Sequence, residues 1–305
     1  NKEKKVIYEE IRSSYDSPAN HANLLFENIL WPNHPMGRDI AGSINSVENI
    51  SRNSLLSFYK KKYTSSNTVI SVAGNINHKK IVDLISKILH KYKKVNKDNM
   101  KISAPKTNAN FKLKFINKKT EQVHINIGFA GINYLDDKKY SLSLLSVILG
   151  ETMGSRLFEE IRESRGLAYN IGSNVQYFKD TGSFVIDSAV EPKNVQETIK
   201  VVQNELEKVK ESITEEELLK AKKYTTGKMH MRLEDTMSIT NFLGFQEITS
   251  GKIQTIEDIT KKINDVTTSC VKEMANNIFD KTKMVISGVG PIDKNLKNSI
   301  DNYFY

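Results

Sequence analysis

The sequence predicts an α+β protein made of two homologous units, each a mixed α/β sheet with helices, in which the first unit is truncated. Two β-branched runs end in glycine, residues 67–74 (NTVISVAG) and 283–290 (KMVISGVG). Upstream of each run, apolar residues recur at helical spacing. Between the runs, segments with the alternating apolar pattern of a strand are interspersed with segments of helical periodicity, as in an α+β layer. These three observations indicate a duplicated architecture.

The register of the repeat supports duplication over chance similarity between two helix–strand units. The offset that aligns Gly74 with Gly290 holds without gaps over about twenty-five positions, whereas unrelated units would drift apart. The matched apolar residues are Ile50 with Val266, Leu55 with Val271, Phe58 with Met274, and Tyr63 with Phe279.

The first unit, assigned to residues 1–92, holds a helical pattern over 2–15 and a helix predicted over 78–90. Compared with the second unit, it lacks about a hundred residues ahead of Asn1. Asn1 is not a methionine, and the sequence opens in mid-helix without a leader-like segment. We therefore expect the chain to be the inside of a longer protein.

Residues 93–112 form the predicted linker, and residues 113–305 the complete second unit. The linker is rich in Lys and Asn, contains Pro105, and has little apolar periodicity. In the second unit, a helix start at 213–216 has a cap and an acidic first turn. The other elements predicted there are strands over 121–129, 168–178 and 182–190, and helices over 137–149, 155–164 and 194–211.

Composition excludes several classes of protein. The 305 residues are 38% hydrophobic and 27% charged, which is enough apolar content for a core and excludes wholesale disorder. No apolar stretch is long enough for a membrane span. The single cysteine, Cys270, excludes an internal disulfide framework, and its helical register predicts a small core residue. The net charge of +9 is scattered without interleaved aromatics, so we predict no nucleic-acid site.

Glu3 and Glu10 are the first candidate site residues. They lie seven residues apart, two helical turns, and so share one helix face. Two interpretations stay open on the residues alone. The face is a solvated acidic surface with Lys–Glu pairs, or one carboxylate binds a metal while the other supports it.

Arg162 and Tyr169 are the second candidates, in residues 155–169 (SRLFEEIRESRGLAY). The pattern predicts a helix that ends at Gly166 with a left-handed cap, followed by a strand that carries Tyr169. Arginine and tyrosine at such a junction can donate hydrogen bonds to a peptide carbonyl or a developing oxyanion. They can equally be a surface ion-pair residue and a packed strand aromatic.

The six histidines do not form a zinc helix. No two of them have i, i+4 spacing, so the motif H-x-x-E-H is absent from this sequence. One of them belongs to residues 31–38 (WPNHPMGR), a loop punctuated by Pro and Gly for which a packed turn is the favoured interpretation.

Taken with residues 67–74, these segments resemble the M16 (pitrilysin/insulinase-like) metallopeptidases. The similarity is greatest to the short subfamily of bacterial proteases and mitochondrial processing peptidase β, and it covers essentially the whole chain. It implies a clamshell of two homologous half-domains and a zinc endopeptidase that cleaves unfolded peptides in an enclosed chamber by means of zinc-bound water. By resemblance, Glu10 is the third Zn²⁺ ligand, Glu3 supports it, and Arg162 and Tyr169 hold the substrate and steady the oxyanion.

The chain departs from the family in one important respect. The histidine ligands that Zn²⁺ requires are missing from it, as is the first-half edge strand to which substrates add. We therefore expect an active peptidase as the intact protein and an inactive chain in isolation. The alternative is a non-catalytic subunit that supplies Arg162 and Tyr169 to an active partner.

The resemblance also sets expectations for partners and location. The expected partners are a peptide substrate and either a second copy or an M16-like subunit, with neither nucleic acid nor a membrane span. A basic nucleic-acid-binding or scaffold protein is a third, distant alternative. The expected location is the bacterial cytoplasm, since a single cysteine fits a reducing compartment.

Overall fold

The computed structural model describes residues 2–90, 103–105 and 110–304. Most of the predicted linker, residues 93–112, lies outside the described residues. The described helices are α1 Lys2–Asp16, α2 Pro18–Leu30, α3 Ile44–Glu48, α4 Arg52–Lys62, α5 His78–Leu89, α6 Lys139–Ser146, α7 Val195–Glu211, α8 Glu215–Arg232, α9 Thr236–Ser250, α10 Ile256–Asn264, α11 Thr268–Ile278 and α12 Lys294–Phe304. The described strands are β1 Lys112–Asn117, β2 Val123–Ala130, β3 Ala168–Tyr177, β4 Gly182–Val190 and β5 Val285–Gly290.

These bounds confirm the predicted elements of the second unit to within a few residues. The helix predicted over 137–149 is α6 followed by a π-helical turn, Val147–Glu151. The predicted helix start is a capping box at α8, in which Thr214 and Glu217 satisfy each other's backbone N–H groups. β4 has the predicted bounds.

The strands form one mixed sheet in the order β1-β5-β2-β4-β3. β1 pairs with β5 in parallel, and the remaining pairs are antiparallel. Side chains alternate across the sheet, so one face of β2 presents Val123, Ile125, Ile127 and Phe129, all buried. β1 and β3 are the two outermost of the described strands.

One face of the sheet packs against α6, α7 and α11 and forms the main core. Aromatic rings mark its centre: Phe279 lies 5.3 Å from Phe129 and 5.0 Å from Phe184, measured between ring centroids. All three rings are almost inaccessible to solvent. Their burial provides the hydrophobic stabilisation that fixes the orientation of β2 and β4. β3 is held in place by its pairing with β4.

The opposite face of the sheet packs against α2. The side chain of Phe26 approaches so closely that a Cβ on Gly128 would lie 2.8 Å from its ring, so glycine is required at this position of β2. The Ser287 hydroxyl donates to the Ala22 carbonyl at 2.9 Å, in the interior of this contact. Residues from the first part of the chain are therefore built directly onto the sheet of the second part.

The two helices that flank residues 67–74 begin at the predicted offset from the two helices that flank β5. The shift that aligns Gly74 with Gly290 also aligns the first residue of α4 with that of α11, and these two helices are equally long. The same shift aligns the first residue of α5 with that of α12. A second contact mirrors the one between Ser287 and Ala22: the Ser71 hydroxyl donates to the Thr240 carbonyl of α9 at 2.8 Å, and Ser71 is the counterpart of Ser287. Ser71 and Ser287, each in a run that ends in glycine, thus both contact the backbone of a helix that is distant in the chain.

The run at 67–74, expected as a strand, is not a strand in the structure, although its counterpart is β5. A strand needs a neighbouring strand to satisfy its backbone groups, and none of the described residues pairs with this run. Its apolar side chains are correspondingly exposed, as are those of the helices on either side. The residues at the same offset around β5 are buried instead. The solvent-exposed fraction is 59% for Leu55 but 0% for Val271, 56% for Phe58 but 2% for Met274, and 51% for Ile70 but 0% for Ile286.

Cys270 is exposed, so its prediction as a core residue was wrong. It lies in the first turn of α11, where the Thr267 hydroxyl caps its backbone N–H, and the buried face of α11 begins one residue later at Val271. The loop at 31–38 is a packed turn, as expected. The Trp31 side chain is buried and meets the Phe178 ring edge-on at 5.7 Å. None of the described helices is long and apolar enough to cross a bilayer.

Candidate functional site

The junction between the arginine-rich helical segment and β3 is held by a two-bond cap. Residues Phe158–Ser164 are π-helical, and Gly166 follows in the left-handed region with φ +61. The Gly166 N–H donates to the Arg162 carbonyl at 3.2 Å, and the Leu167 N–H donates to the Ile161 carbonyl at 2.9 Å. This arrangement terminates the helix and turns the chain into the strand, which confirms the predicted role of Gly166.

A β-bulge at the start of β3 turns Tyr169 outward. Ala168 pairs with Val190, and the next paired residue is Asn170 with Ala189, so Tyr169 is the extra residue. Its side chain is 77% exposed. β3 is an outermost strand of the described sheet, so the phenol stands at the sheet edge without packing against a neighbouring strand.

The Arg162 guanidinium lies close to two aromatic rings. Its carbon is 4.7 Å from the Phe158 ring centre and 4.8 Å from the Tyr169 ring centre. Phe158 is buried, so its ring holds the guanidinium in place through cation–π attraction. The nearest carboxylate is Glu163, with 3.6 Å between Arg162 Nε and Glu163 Oε1. That distance is too long for a strong hydrogen bond, so the Arg162 donors stay available.

The other two arginines of the segment are fully engaged. Arg156 makes two hydrogen bonds to the Glu217 carboxylate, at 2.6 and 2.9 Å, and ties the segment to the start of α8. Arg165 donates to Glu160 at 2.7 Å and thereby lowers the pKa of that carboxyl. Arg156 and Arg165 are therefore held in short ion pairs, whereas the ion pair of Arg162 with Glu163 is longer.

Glu3 and Glu10 lie on α1 and are both exposed. Within the described part of the chain neither carboxylate makes a hydrogen bond or an ion pair, whereas the neighbouring Glu9 pairs with Arg12. The structure joins Arg162 to Tyr169 by direct contact. It records no ion pair between Glu10 and Arg162, so the two predicted pairs of site residues are not in contact with each other.

The residues of this chain do not by themselves fit a zinc site. A catalytic zinc needs three protein ligands and an open position. Among the described residues, no group of three or more His, Cys, Asp or Glu side chains converges closely enough to hold a metal ion. Glu10 is one exposed carboxylate and cannot hold zinc alone.

Sequence reasoning missed a polar cavity of about 140 Å³ where α2 leaves the sheet uncovered. Its walls include Glu27 of α2, Asp187 of β4, and Asn174 and Gln176 of β3. Burial raises the pKa of both carboxyl groups, and for Glu27 the charge of Asp39 adds to the effect. Asp187 interrupts the apolar alternation of β4, which is the one sequence signal that could have indicated it.

A family model described as the peptidase M16 inactive domain matches residues 49–224, more than half of the chain. The matched span contains the Arg162–Tyr169 junction and most of the sheet. The chain belongs to the M16 peptidase family.

Several curated relatives carry the name uncharacterized zinc protease. The M16 chain is 32% identical over 294 residues to the one from Rickettsia felis, covering 96% of the chain and 70% of the relative. It is 29% identical over 296 residues to one from Streptomyces coelicolor, covering 95% of the chain and 64% of the relative. The chain thus spans about two thirds of the length of the curated relatives it matches.

A solved structure shows the same fold. The crystal structure of a peptidase M16 inactive domain from Pseudomonas fluorescens superposes with a TM-score of 0.87 at 25% identity, over 96% of the M16 chain and 70% of that chain. The α+β architecture with its five-stranded mixed sheet is therefore an M16 fold.

Proposed function

We propose that this chain is the substrate-holding part of an M16 zinc endopeptidase that cleaves unfolded peptides in an enclosed chamber. One observation carries the proposal: Arg162 and Tyr169 contact each other at an exposed sheet edge, with polar donors that no strong described partner engages. Structural arginines and tyrosines are usually engaged, as Arg156 and Tyr177 are here. Tyr177 donates to the Lys139 carbonyl.

The chemistry of the pair suits a peptide main chain. The Tyr169 hydroxyl donates one hydrogen bond, and the planar Arg162 guanidinium donates several in fixed directions. Both groups bind carbonyl oxygens, and both bind more strongly when negative charge develops on the oxygen in a tetrahedral intermediate. We propose that Arg162 holds the substrate main chain and that Tyr169 steadies the developing oxyanion.

The whole protein is proposed to be a clamshell of two homologous half-domains. In this division residues 1–92 belong to the first half, 93–112 to the linker and 113–305 to the second half. The constant offset between α4 and α5 and their counterparts supports it, and so do the reciprocal contacts Ser71–Thr240 and Ser287–Ala22. Two copies that each place a serine against a helix of the other are expected of halves related by a pseudo-twofold axis.

The exposed apolar side chains of α4, of residues 68–73 and of α5 support a first half that is larger in the whole protein. Their counterparts in α11, β5 and α12 are buried against β2, β4 and the helices above them. An apolar surface of this extent is uncommon on a monomeric soluble protein. We propose that it is covered by a sheet equivalent to β1–β4, supplied by sequence ahead of Asn1.

The zinc ligands other than Glu10 are proposed to lie in that additional sequence. Glu10, exposed and unpaired on α1, remains available as a ligand, with Glu3 two turns away on the same face to support it. The chain in isolation, which has no three-ligand group among its described residues, is accordingly expected to be inactive.

A non-catalytic subunit is the second candidate, favoured by the description of the matching family model as an inactive domain. In that case Arg162 and Tyr169 would serve an active M16-like partner or a second copy. Both candidates assign the same role to the pair, and they differ in where the zinc ligands are encoded.

The experiment compares the full-length protein with the 305-residue chain on an unfolded casein substrate, each with measured zinc content. The proposal predicts cleavage by the zinc-loaded full-length protein, its loss on chelation, and no cleavage by the chain. Cleavage by the chain with added zinc would contradict it. A full-length protein that binds no zinc and cleaves only with a partner subunit would establish the second candidate.

A further inference from the structure

A cavity of about 580 Å³ lies between the last turns of α8 and the first turns of α9, two helices joined by a short turn at 233–235. It is called the interhelical cavity below. Tyr134, from the loop that follows β2, completes its lining. Small-molecule sites in proteins have volumes of about 300–1,000 Å³, so this cavity is large enough for a ligand. The residues proposed to hold substrate or zinc do not line it.

Apolar side chains form most of the lining of the interhelical cavity. α8 contributes Met229, and α9 contributes Phe242 and Phe245, which lie three residues apart on one face. The Tyr134 and Phe245 rings meet edge-on at 5.3 Å, yet the Phe245 side chain is 51% exposed. Covering an exposed aromatic ring with an apolar group is favourable, so the cavity favours a ligand with an apolar part.

Among the described residues, two cations and no carboxylate line the interhelical cavity. Lys228 and Arg232 lie four residues apart on α8 and so share a face, which also carries Met229. Arg232 is exposed and makes no ion pair with any described residue. Lys228 Nζ lies 3.7 Å from Glu151 Oε2, which is too long for a strong hydrogen bond. The charge of the lining therefore favours an anion.

The basic and the apolar parts of the lining lie at different ends of the cavity. Arg232 is the last residue of α8 and adjoins the turn, whereas Phe245 lies more than two turns into α9, where it meets Tyr134. The lining of α9 runs from Ser238 past Phe245, about 10 Å along the helix axis and the length of an extended alkyl chain of about eight carbons. The lining suits a molecule with an anionic group at one end of such a chain.

The face of α9 that lines the cavity points away from the run that contains Ser71. The Ser71 hydroxyl donates to the Thr240 carbonyl, and its Cβ lies 3.1 Å from a Cβ added to Gly244. These two contacts define one face of α9. At 3.6 residues per turn, Phe242 and Phe245 lie about 120° or more from the centre of that face. A sheet that covers the apolar surface around Ser71 therefore leaves the interhelical cavity open.

We propose that the interhelical cavity binds a saturated fatty acid of medium chain length, such as octanoate, as its anion. The carboxylate pairs with Arg232 and Lys228 near the turn. The alkyl chain lies between Met229 and the rings of Phe242 and Phe245. The inference stands on the lining of this cavity and does not rest on the proposed peptidase function.

The test is calorimetric titration of the full-length protein with three probes below their micelle concentrations. Octanoate has the charge and the chain, 1-octanol lacks the charge, and butanoate lacks most of the chain. We expect 1-octanol to bind roughly tenfold more weakly than octanoate, because it loses the charged hydrogen bonds. Butanoate should bind roughly a hundredfold more weakly, because most of the apolar contact is missing.

Two results of this titration would overturn the proposal. One is no saturable binding of octanoate, or equal binding of octanoate and 1-octanol. The other is binding by the 305-residue chain but not by the full-length protein, since the additional sequence would then fill the cavity.

Substitutions assign the two ends of the ligand. Arg232→Gln should weaken octanoate about tenfold and leave 1-octanol unchanged, whereas Phe242→Ser should weaken both. Lys223→Gln, at an exposed lysine of α8 outside the cavity, is the matched control and should change neither. An Arg232→Gln protein that binds octanoate with the original affinity would contradict the assignment. Should Phe242→Ser fail to fold, the three-probe comparison on the unaltered protein still decides.

Discussion

The Arg162 guanidinium lies 4.8 Å from the centre of the Tyr169 ring, although a change from helix to strand separates the two residues along the chain. The left-handed Gly166 and the bulge at Tyr169 bring the two together. The ring of Phe158 also contacts the guanidinium, with its centre 4.7 Å from the guanidinium carbon. The half-buried Arg162 side chain is thereby confined, which would reduce the entropy lost on binding a peptide under the proposed function.

Tyr169→Phe should lower kcat/KM for peptide cleavage by the full-length protein by about a hundredfold, the usual cost of losing one oxyanion donor. Zinc content should not change, because the phenol binds no metal in this account. The measurement is steady-state cleavage of a fluorogenic peptide with parallel metal analysis. Tyr303→Phe, whose hydroxyl bonds to Gln203 on another surface, is the control. Unchanged turnover in Tyr169→Phe would remove the oxyanion role.

Glu10→Gln in the full-length protein should lower zinc content and activity together. Glu3→Gln should weaken zinc affinity by about tenfold, as expected for a residue that supports a ligand. Glu9→Gln is the matched control, since Glu9 neighbours Glu10 but pairs with Arg12. Metal content by mass spectrometry checks this, and full zinc occupancy in Glu10→Gln would refute the ligand assignment.

Gly166→Ala should destabilise the chain by about 1 kcal/mol, because an L-residue is strained at φ +61. No atom lies within 4 Å of the added Cβ, so the cost is confined to the backbone. Gly37→Ala should cost more, about 2–3 kcal/mol, since its Cβ would meet a carbonyl oxygen at 2.3 Å. Urea unfolding measures both. The reverse order would show that the Gly166 cap has another basis.

Asp187→Asn should stabilise the chain at neutral pH. Burial raises the pKa of Asp187 above 3.8, so the native state binds the proton more tightly than the unfolded state. The contribution of Asp187 is therefore most favourable below pH 3.8 and is lost as the pH rises through the native pKa. The gain in Asp187→Asn should be clear at about pH 7 and should shrink towards about pH 4 in urea unfolding.

Asp280 provides a control of opposite sign. Hydrogen bonds from Thr282 and Lys283 lower its pKa from 3.8 to about 2, so its charged form stabilises the native state above pH 3.8. Asp280→Asn should therefore lose stability at neutral pH. If Asp187→Asn also lost stability there, the account of Asp187 as a carboxylate destabilised by burial would be wrong.

The sequence was sufficient where local chemistry decides the structure. The local sequence alone predicts the left-handed cap at Gly166, the capping box at Thr214 and the strand β4. The sequence was insufficient where contacts between distant segments determine the structure. The stacking of Arg162 on Phe158 and the order of the five strands depend on long-range packing. Residues 68–73 share the pattern of β5 but lack a paired strand among the described residues, so composition alone did not make them a strand.

The candidate site divides in the same way. Arg162 and Tyr169 could be named from one short segment, and the structure places them in contact. Asp187 and Glu27 come from a strand and a helix far apart in sequence, and they share a cavity only because α2 crosses the sheet.

The most direct measurement is a crystal structure of the full-length protein with a bound, non-cleavable peptide. The account predicts that the Tyr169 hydroxyl and an Arg162 nitrogen each lie within hydrogen-bonding distance, about 3 Å, of main-chain carbonyl oxygens of the peptide. A peptide bound in the chamber with both side chains still facing solvent would contradict it.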